Sequence, residues 1–273
     1  MFGQLSNRES LRDLIVALEA HQSKCFHLGL GRKPIAKTTL ATANQNRDYR
    51  IFEEFAFYMM AQAREKRAAD IFKLGGKVYA FDSTTITLCL SVFWWAKFRK
   101  KKGGVKAHVL YDLEAQVPAF YHITTASVYD SKAMPKIPYE TGAYCVFDRG
   151  YNNFGELYRI QRMESFFVVR AKTNLQYKCV KWKRRMPKQH LKIKKFWGTT
   201  ENAVRIQISA AITAYCLVAI IQHDMKLKRS TYEVLQILSI SLTDKTPLRE
   251  LFDKTYSNDV KEQFGPLIPG LFD

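Results

Sequence analysis

The first strong pattern along the chain is a helical stripe, with Leu11, Leu14, Ile15 and Leu18 at i, i+3, i+4 and i+7. Ser6, with Glu9 three residues later, has the spacing of a capping box ahead of it. A second helix is predicted from about Arg50, with Ile51, Phe55, Tyr58 and Met59 on its core-facing side. The basic stretch between the two is punctuated by Gly and Pro and holds a short helix from Thr39. Residues 1–70 thus read as a helical N-terminal region.

From Lys77 the period changes. Val78 to Phe81 is a short apolar strand that ends at Asp82. Residues 105–113 alternate, with Val105, Ala107, Val109, Tyr111 and Leu113 on one side and Lys106, His108, Leu110 and Asp112 on the other. This predicts a half-buried strand. Val117 to Thr125 follows a polar turn at Glu114–Gln116, which makes the pair a hairpin. A buried run from Ala143 to Phe147 ends at Asp148, and a helix from Phe154 to Met163 leads to a strand from Phe166 to Arg170. Residues 71–273 therefore read as an α/β domain with a mixed sheet flanked by helices. The last 75 residues return to helix, with Thr200 as an N-cap and Gly265–Pro266 and Pro269–Gly270 marking the end.

With 47% hydrophobic and 13% aromatic residues over 273 positions, the chain can build a packed core, which excludes wholesale disorder. The longest apolar stretch, Ile206 to Ile221, spans 16 residues and includes Gln207, Ser209 and Thr213. A membrane span needs about 20 apolar residues, so this is a buried core helix. The N-terminus lacks the apolar core of a signal peptide. The five cysteines are scattered and never in a C-x-x-C pair, which argues against a disulfide framework or a zinc ribbon. The expected compartment is the cytoplasm, at the nucleoid, with no membrane partner.

The formal net charge of +18 points to a polyanion, with nucleic acid ahead of a membrane surface. Ser83 to Tyr111 contains no acidic residue, while Lys97, Arg99, Lys100, Lys101, Lys102 and Lys106 cluster around a Gly103–Gly104 turn. Arg170 to Thr200 is again free of acids and carries 11 basic residues, among them Lys188, Lys192, Lys194 and Lys195. Long single-sign stretches favour phosphate contacts over a merely solvated face. The interleaved Trp94, Trp95 and Trp197 suit either core packing or stacking on bases.

Asp82 and Asp148 share a context, an apolar strand ending in Phe and then the carboxylate (YAFDSTT and CVFDRGY). A carboxylate there must be hydrogen-bonded, paired or metal-bound. Hard oxygen donors without convergent His or Cys suit Mg²⁺ or Mn²⁺, and two such ions about 3.5–4 Å apart can drive phosphodiester chemistry. The alternative is that each Asp caps the following turn.

The blocks VYAFDSTTITLCLSVFWWAKFRKKKGGVKAHVLYDL, VFDRGYNNFGELYRI, FFVVRAKTNLQY and KQHLKIKKFWGTTENAVRIQI together resemble the family-four insertion-sequence transposases of bacteria, over nearly the whole chain. The resemblance implies a DDE catalytic site on an RNase H-like fold. It also implies Mg²⁺-dependent cleavage at the element's ends followed by strand transfer, carried out by a homodimer in a synaptic complex on double-stranded transposon-end and target DNA. Asp82 and Asp148 would be the first and second catalytic, metal-binding aspartates. Arg149 and Tyr151 fall in the family's D-R-G-Y block, and Arg149 joins the expected DNA contacts.

The third carboxylate is where the chain departs from the family's Tyr-x2-Arg-x3-Glu-x6-Lys helix. Aligned on Lys188, the Tyr, Arg and Glu positions hold Asn174, Tyr177 and Lys181. Asp148 and Lys188 are 40 residues apart, too close for the β-rich segment the family carries between them. This implies an internal deletion, and the start is expected to be shortened as well. Glu201 reads as a first-turn helix carboxylate, Asp112 as a strand-end residue and Asp130 as an N-cap. The expectation is a transposase that keeps DNA binding and has lost strand transfer. The alternatives are a non-catalytic DNA-binding remnant that inhibits an intact copy, or another RNase H-like nuclease.

Overall fold

The computed structural model describes residues 1–6, 8–31, 34–69, 71–99, 102–172, 198–241 and 246–253. Its sheet is built from β1 (Val78–Leu88), β2 (Lys97–Arg99), β3 (Lys102–Asp112), β4 (Val117–Thr125), β5 (Tyr144–Phe147) and β6 (Phe166–Val169). β3 lies between β1 and β4 and is antiparallel to both, while β5 and β6 continue the sheet beyond β1 in parallel. The resulting order, β4-β3-β1-β5-β6 with β2 on the start of β3, is the RNase H-like mixed sheet.

Helices α1 (Phe2–Leu5), α2 (Leu11–Ala20), α3 (Lys37–Asn46) and α4 (Tyr49–Lys66) precede the sheet. α5 (Phe154–Arg162) connects β5 to β6, and α6 (Glu201–Asp224), α7 (Thr231–Ser241) and α8 (Leu248–Asp253) follow it. One face of the sheet is covered by α4 and α6, where Ala56, Met60 and Ala63 meet Val204, Ile208 and Cys216 over Val105, Val117, Tyr121 and Ile123. The other face packs Phe81, Leu110 and Phe147 against Met134, Tyr151, Leu157 and Ile160. The outer side of α6 carries a third cluster with Leu5, Val234, Leu238 and Phe252. Since α6 is apolar on nearly all sides, it is enclosed rather than amphipathic. It is long and apolar enough to cross a membrane, yet 67% of that window is buried inside the protein.

Several local expectations are corrected. The cap of α2 is Ser10, whose Oγ accepts the Asp13 amide at 3.1 Å, while Ser6 donates to the Phe2 carbonyl. On α4 the buried side is Ala56, Met60 and Ala63, and Ile51, Phe55 and Tyr58 are exposed. Small side chains let α4 approach α6 closely, and that contact outranks the larger apolar stripe. β3 is buried on both faces, because it lies in mid-sheet with helices on one side and turns on the other. Gly103 and Gly104 lie within β3 and not in a turn. A Cβ at Gly104 would sit 3.0 Å from the Ala126 Cβ, so any larger residue there would have to push that loop back by a few tenths of an ångström. β1 runs on to Leu88, so Asp82 is in mid-strand.

Candidate functional site

β1 and β5 pair in parallel from Val78 opposite Tyr144 to Phe81 opposite Phe147. Asp82 and Asp148 are the next residue on each strand. Neighbouring strands lie about 4.8 Å apart, and Asp148 is still extended (φ −79°, ψ 172°), so the two backbones deliver their carboxyl groups from adjacent positions. β1 continues past this point against β3, with Asp82 opposite Val109, while β5 stops. The divergence opens the sheet at the two aspartates.

The turn after β5 is held by its aromatic residue. Tyr151 is buried, its ring centroid 5.0 Å from that of Phe81 and 6.0 Å from that of Phe147. Asn152 Nδ2 donates to the carbonyls of Arg149 (2.8 Å) and Arg170 (2.9 Å), which ties this turn to the end of β6. Burial pushes the Tyr151 hydroxyl well above the ordinary phenol range, with Asp82, Asp130 and Asp148 contributing in the same direction.

Asp82 is exposed and accepts the Ser83 amide at 2.8 Å. The turn opened by Asp148 receives no side-chain cap from it, and Arg170 Nη1 lies 3.9 Å from its Oδ1. The capping alternative therefore fits neither residue, since Asp82 lies in mid-strand with no turn after it and Asp148 leaves its turn uncapped. Two adjacent carboxylates suit a hard ion that takes its remaining ligands from water and substrate phosphates. Among the described residues, no three His, Cys, Asp or Glu side chains converge to hold an ion.

The other acids are committed elsewhere. Glu201 pairs with Arg205 at 2.8 Å in the first turn of α6, where Thr200 Oγ accepts the Ala203 amide at 3.2 Å. Asp112 accepts the amides of Glu114 and Ala115, each at 3.0 Å, and pairs with Arg64 at 3.2 Å. Asp130 receives Ser83 Oγ at 2.9 Å and Lys106 Nζ at 3.0 Å.

Of the basic residues expected to meet DNA, Lys97 and Arg149 are exposed. Arg99 closes β2. Lys106 sits differently from these: its side chain is only 12% exposed, and its ammonium is held by Asp130 and by the Val128 carbonyl at 2.8 Å. A strand position buried on both faces turned this lysine inward. Lys100, Lys101, Lys188, Lys192, Lys194 and Lys195 lie outside the described residues, as does Trp197. Trp94 is 73% exposed, whereas Trp95 packs on the core and donates to the Thr199 carbonyl at 2.9 Å.

The sequence reading missed the polar interior behind Asp82. His108 is fully buried, its Nε2 is 2.9 Å from Thr124 Oγ1, and its ring stacks on Phe81 at 6.2 Å. Burial pushes its pKa down to about 4, with Lys106 and His122 helping and Asp130 opposing. The alternation that set Lys106, His108 and Asp112 on one side of a strand was the available signal.

The transposase DDE domain family matches residues 73–244, and a domain of unknown function (DUF4372) matches residues 1–31. A Sinorhizobium fredii protein whose name calls it a transposase (y4zB) is 27% identical over 290 residues, covering 78% of this chain and 77% of its own. A Geobacillus stearothermophilus protein, named as a transposase for insertion sequence element IS5377, is 32% identical over 95 residues. That match covers 35% of this chain and 25% of the relative. A cryo-EM structure of the piggyBac transposase synaptic complex with hairpin DNA aligns with TM-score 0.38 and 11% identity, covering 72% of this chain and 59% of that one.

Proposed function

Because this chain belongs to the transposase DDE domain family, we propose that it is an insertion-sequence transposase that binds double-stranded DNA and retains only part of its catalytic site. The observation that carries this reading is the placement of Asp82 and Asp148 one step beyond the last β1–β5 pair. On this reading Asp82 and Asp148 hold Mg²⁺ or Mn²⁺ between them and leave coordination positions for phosphate oxygens and water. When bound, the ion supplies Lewis acidity at a phosphodiester.

The missing partner is a third carboxylate. The residues from Thr173 to Trp197, where the family motif would put it, include no Asp or Glu. Without it the site loses one negative charge and one ligand, and binding depends more on substrate phosphate. We therefore expect DNA end binding to persist, with cleavage and strand transfer negligible. Lys97 and Arg149, with the basic segment from Arg170 to Thr200, supply the phosphate contacts.

The test is an end-cleavage assay on terminal-repeat DNA with Mg²⁺ or Mn²⁺, run beside a gel-shift measurement of binding. The expected result is a shifted complex with no cleaved product. Efficient cleavage that disappears in Asp82→Ala would overturn the catalytic defect, and absence of any complex at low salt would overturn DNA binding.

A further inference from the structure

We propose that Asp130 is a positioning residue for the metal-binding edge, its one carboxylate joining Ser83 beside Asp82, Lys106 on β3, and the turn that follows Asp148. The inference rests on the reading of Asp82 and Asp148 as the metal-binding pair. Asp130 Oδ1 accepts both Ser83 Oγ at 2.9 Å and Lys106 Nζ at 3.0 Å. Its Oδ2 faces Gly150, where any Cβ would sit 3.3 Å from that oxygen. The single turns Asp130–Lys132 and Arg149–Tyr151 pack directly on each other.

The three elements that meet at Asp130 are distant in sequence, and two of them carry the aspartates. Ser83 follows Asp82, and its amide also donates to the Asp82 carboxylate. Its hydroxyl and amide therefore bind two different acids, which fixes the backbone at the point where β5 leaves β1. Gly150 lies two residues after Asp148, so the Asp130 carboxylate limits how far the turn beyond Asp148 can rotate. Lys106, with a side chain only 12% exposed, contributes a charge-assisted bond that anchors Asp130 to the sheet. Partners that fix a ligating residue typically alter metal affinity 10–100-fold, and Asp130 acts at the lower end of that range because it reaches Asp82 through Ser83.

The test uses the full chain and Mn²⁺ alone, titrated by the loss of its free-ion EPR signal, for the wild type, Asp82→Ala, Asp130→Ala and Ser83→Ala. The expected result is Mn²⁺ binding that Asp82→Ala removes and that Asp130→Ala weakens about 10-fold or more with the thermal transition retained. Ser83→Ala should give a smaller loss in the same direction. Binding within twofold of wild type in a folded Asp130→Ala protein overturns the inference. If Asp130→Ala does not fold, Asp130→Asn is judged by the same criterion, since it keeps an acceptor for Ser83 and loses the ion pair.

If the wild type shows no Mn²⁺ binding that depends on Asp82, the metal reading fails. The positioning role is then judged by amide hydrogen exchange. Asp130→Asn should speed exchange at residues 83–84 and 149–152 together and leave α6 unchanged. Unchanged exchange in either segment overturns it.

Discussion

Arg64 of α4 and Asp112 of β3 form an ion pair at 3.2 Å, with Asp112's side chain 5% exposed and Arg64's 21%. The same guanidinium reaches Tyr79 Oη and, at 3.1 Å, Glu140 Oε1. This joins the helical N-terminal part to the sheet through charge as well as packing. Removing the cation leaves a buried carboxylate without its counter-charge, so Arg64→Met should cost about 3 kcal/mol of stability. Asp112→Asn keeps an acceptor for the Glu114 and Ala115 amides, and combining it with Arg64→Met should recover part of that loss. Denaturant unfolding of the two single variants and the double variant checks this. Strictly additive effects would mean the pair is not coupled.

The orientation of α4 gives an unequal mutational response. Ala56 and Ala63 are fully buried against α6, while Phe55 is 46% exposed and stacks on Tyr58 at 6.4 Å. Ala56→Leu forces a side chain into a closed interface and should cost about 1–3 kcal/mol. Phe55→Ala, despite removing far more apolar surface, should stay within about 0.5 kcal/mol. Thermal melting of the two variants decides between the observed face and the one that hydrophobic size alone would choose.

That reversal shows what the sequence pattern carried and what it lacked. Periodicity located α2, α4, β3, β4, β5 and α6 to within a few residues because each element has its own repeat. It could not tell which side of α4 faced inward, because that depends on how the small residues Ala56 and Ala63 fit against α6, about 150 positions away. Nor could it extend β1 past Asp82, since the Thr-rich stretch that follows is apolar only at Ile86 and Leu88 and is made a strand by pairing with β3. The two aspartates were legible from their repeated context. Their adjacency was an expectation that rested on the resemblance, and β5 pairing with β1 in register is what produces it. Asp130 was legible only as an N-cap, a place that Tyr129 holds, since its partners Ser83 and Lys106 lie on two different strands.

His108 makes stability depend on pH. Its pKa is about 4 in the fold and 6.5 in an unconstrained chain. Between those values the unfolded chain takes up a proton that the buried imidazole refuses. Stability from this residue is therefore fully present above about pH 6.5 and is lost as pH falls toward 4, by at most about 3 kcal/mol. His122, also lowered chiefly by burial, acts in the same direction. Unfolding by urea at pH 4.5 and at pH 7 should show a smaller difference for His108→Gln than for the wild type. Equal differences would place the titration elsewhere.

Salt dependence separates the lysines that meet DNA from those that hold the fold. Each phosphate contact releases counterions and adds about −0.9 to the slope of log K against log salt. Lys97 is exposed on β2, so Lys97→Ala should reduce the magnitude of that slope by about one unit. Lys106 lies in the same acid-free stretch and carries the same charge, but its ammonium is already held by Asp130 and the Val128 carbonyl. Lys106→Met should therefore leave the slope unchanged and lower stability instead, because it strips Asp130 of its cation. Binding isotherms on terminal-repeat DNA across a range of salt concentrations measure both effects. A slope that falls equally for Lys97→Ala and Lys106→Met would mean that DNA draws Lys106 out of its ion pair, and that the inward position seen in the free protein is given up on binding.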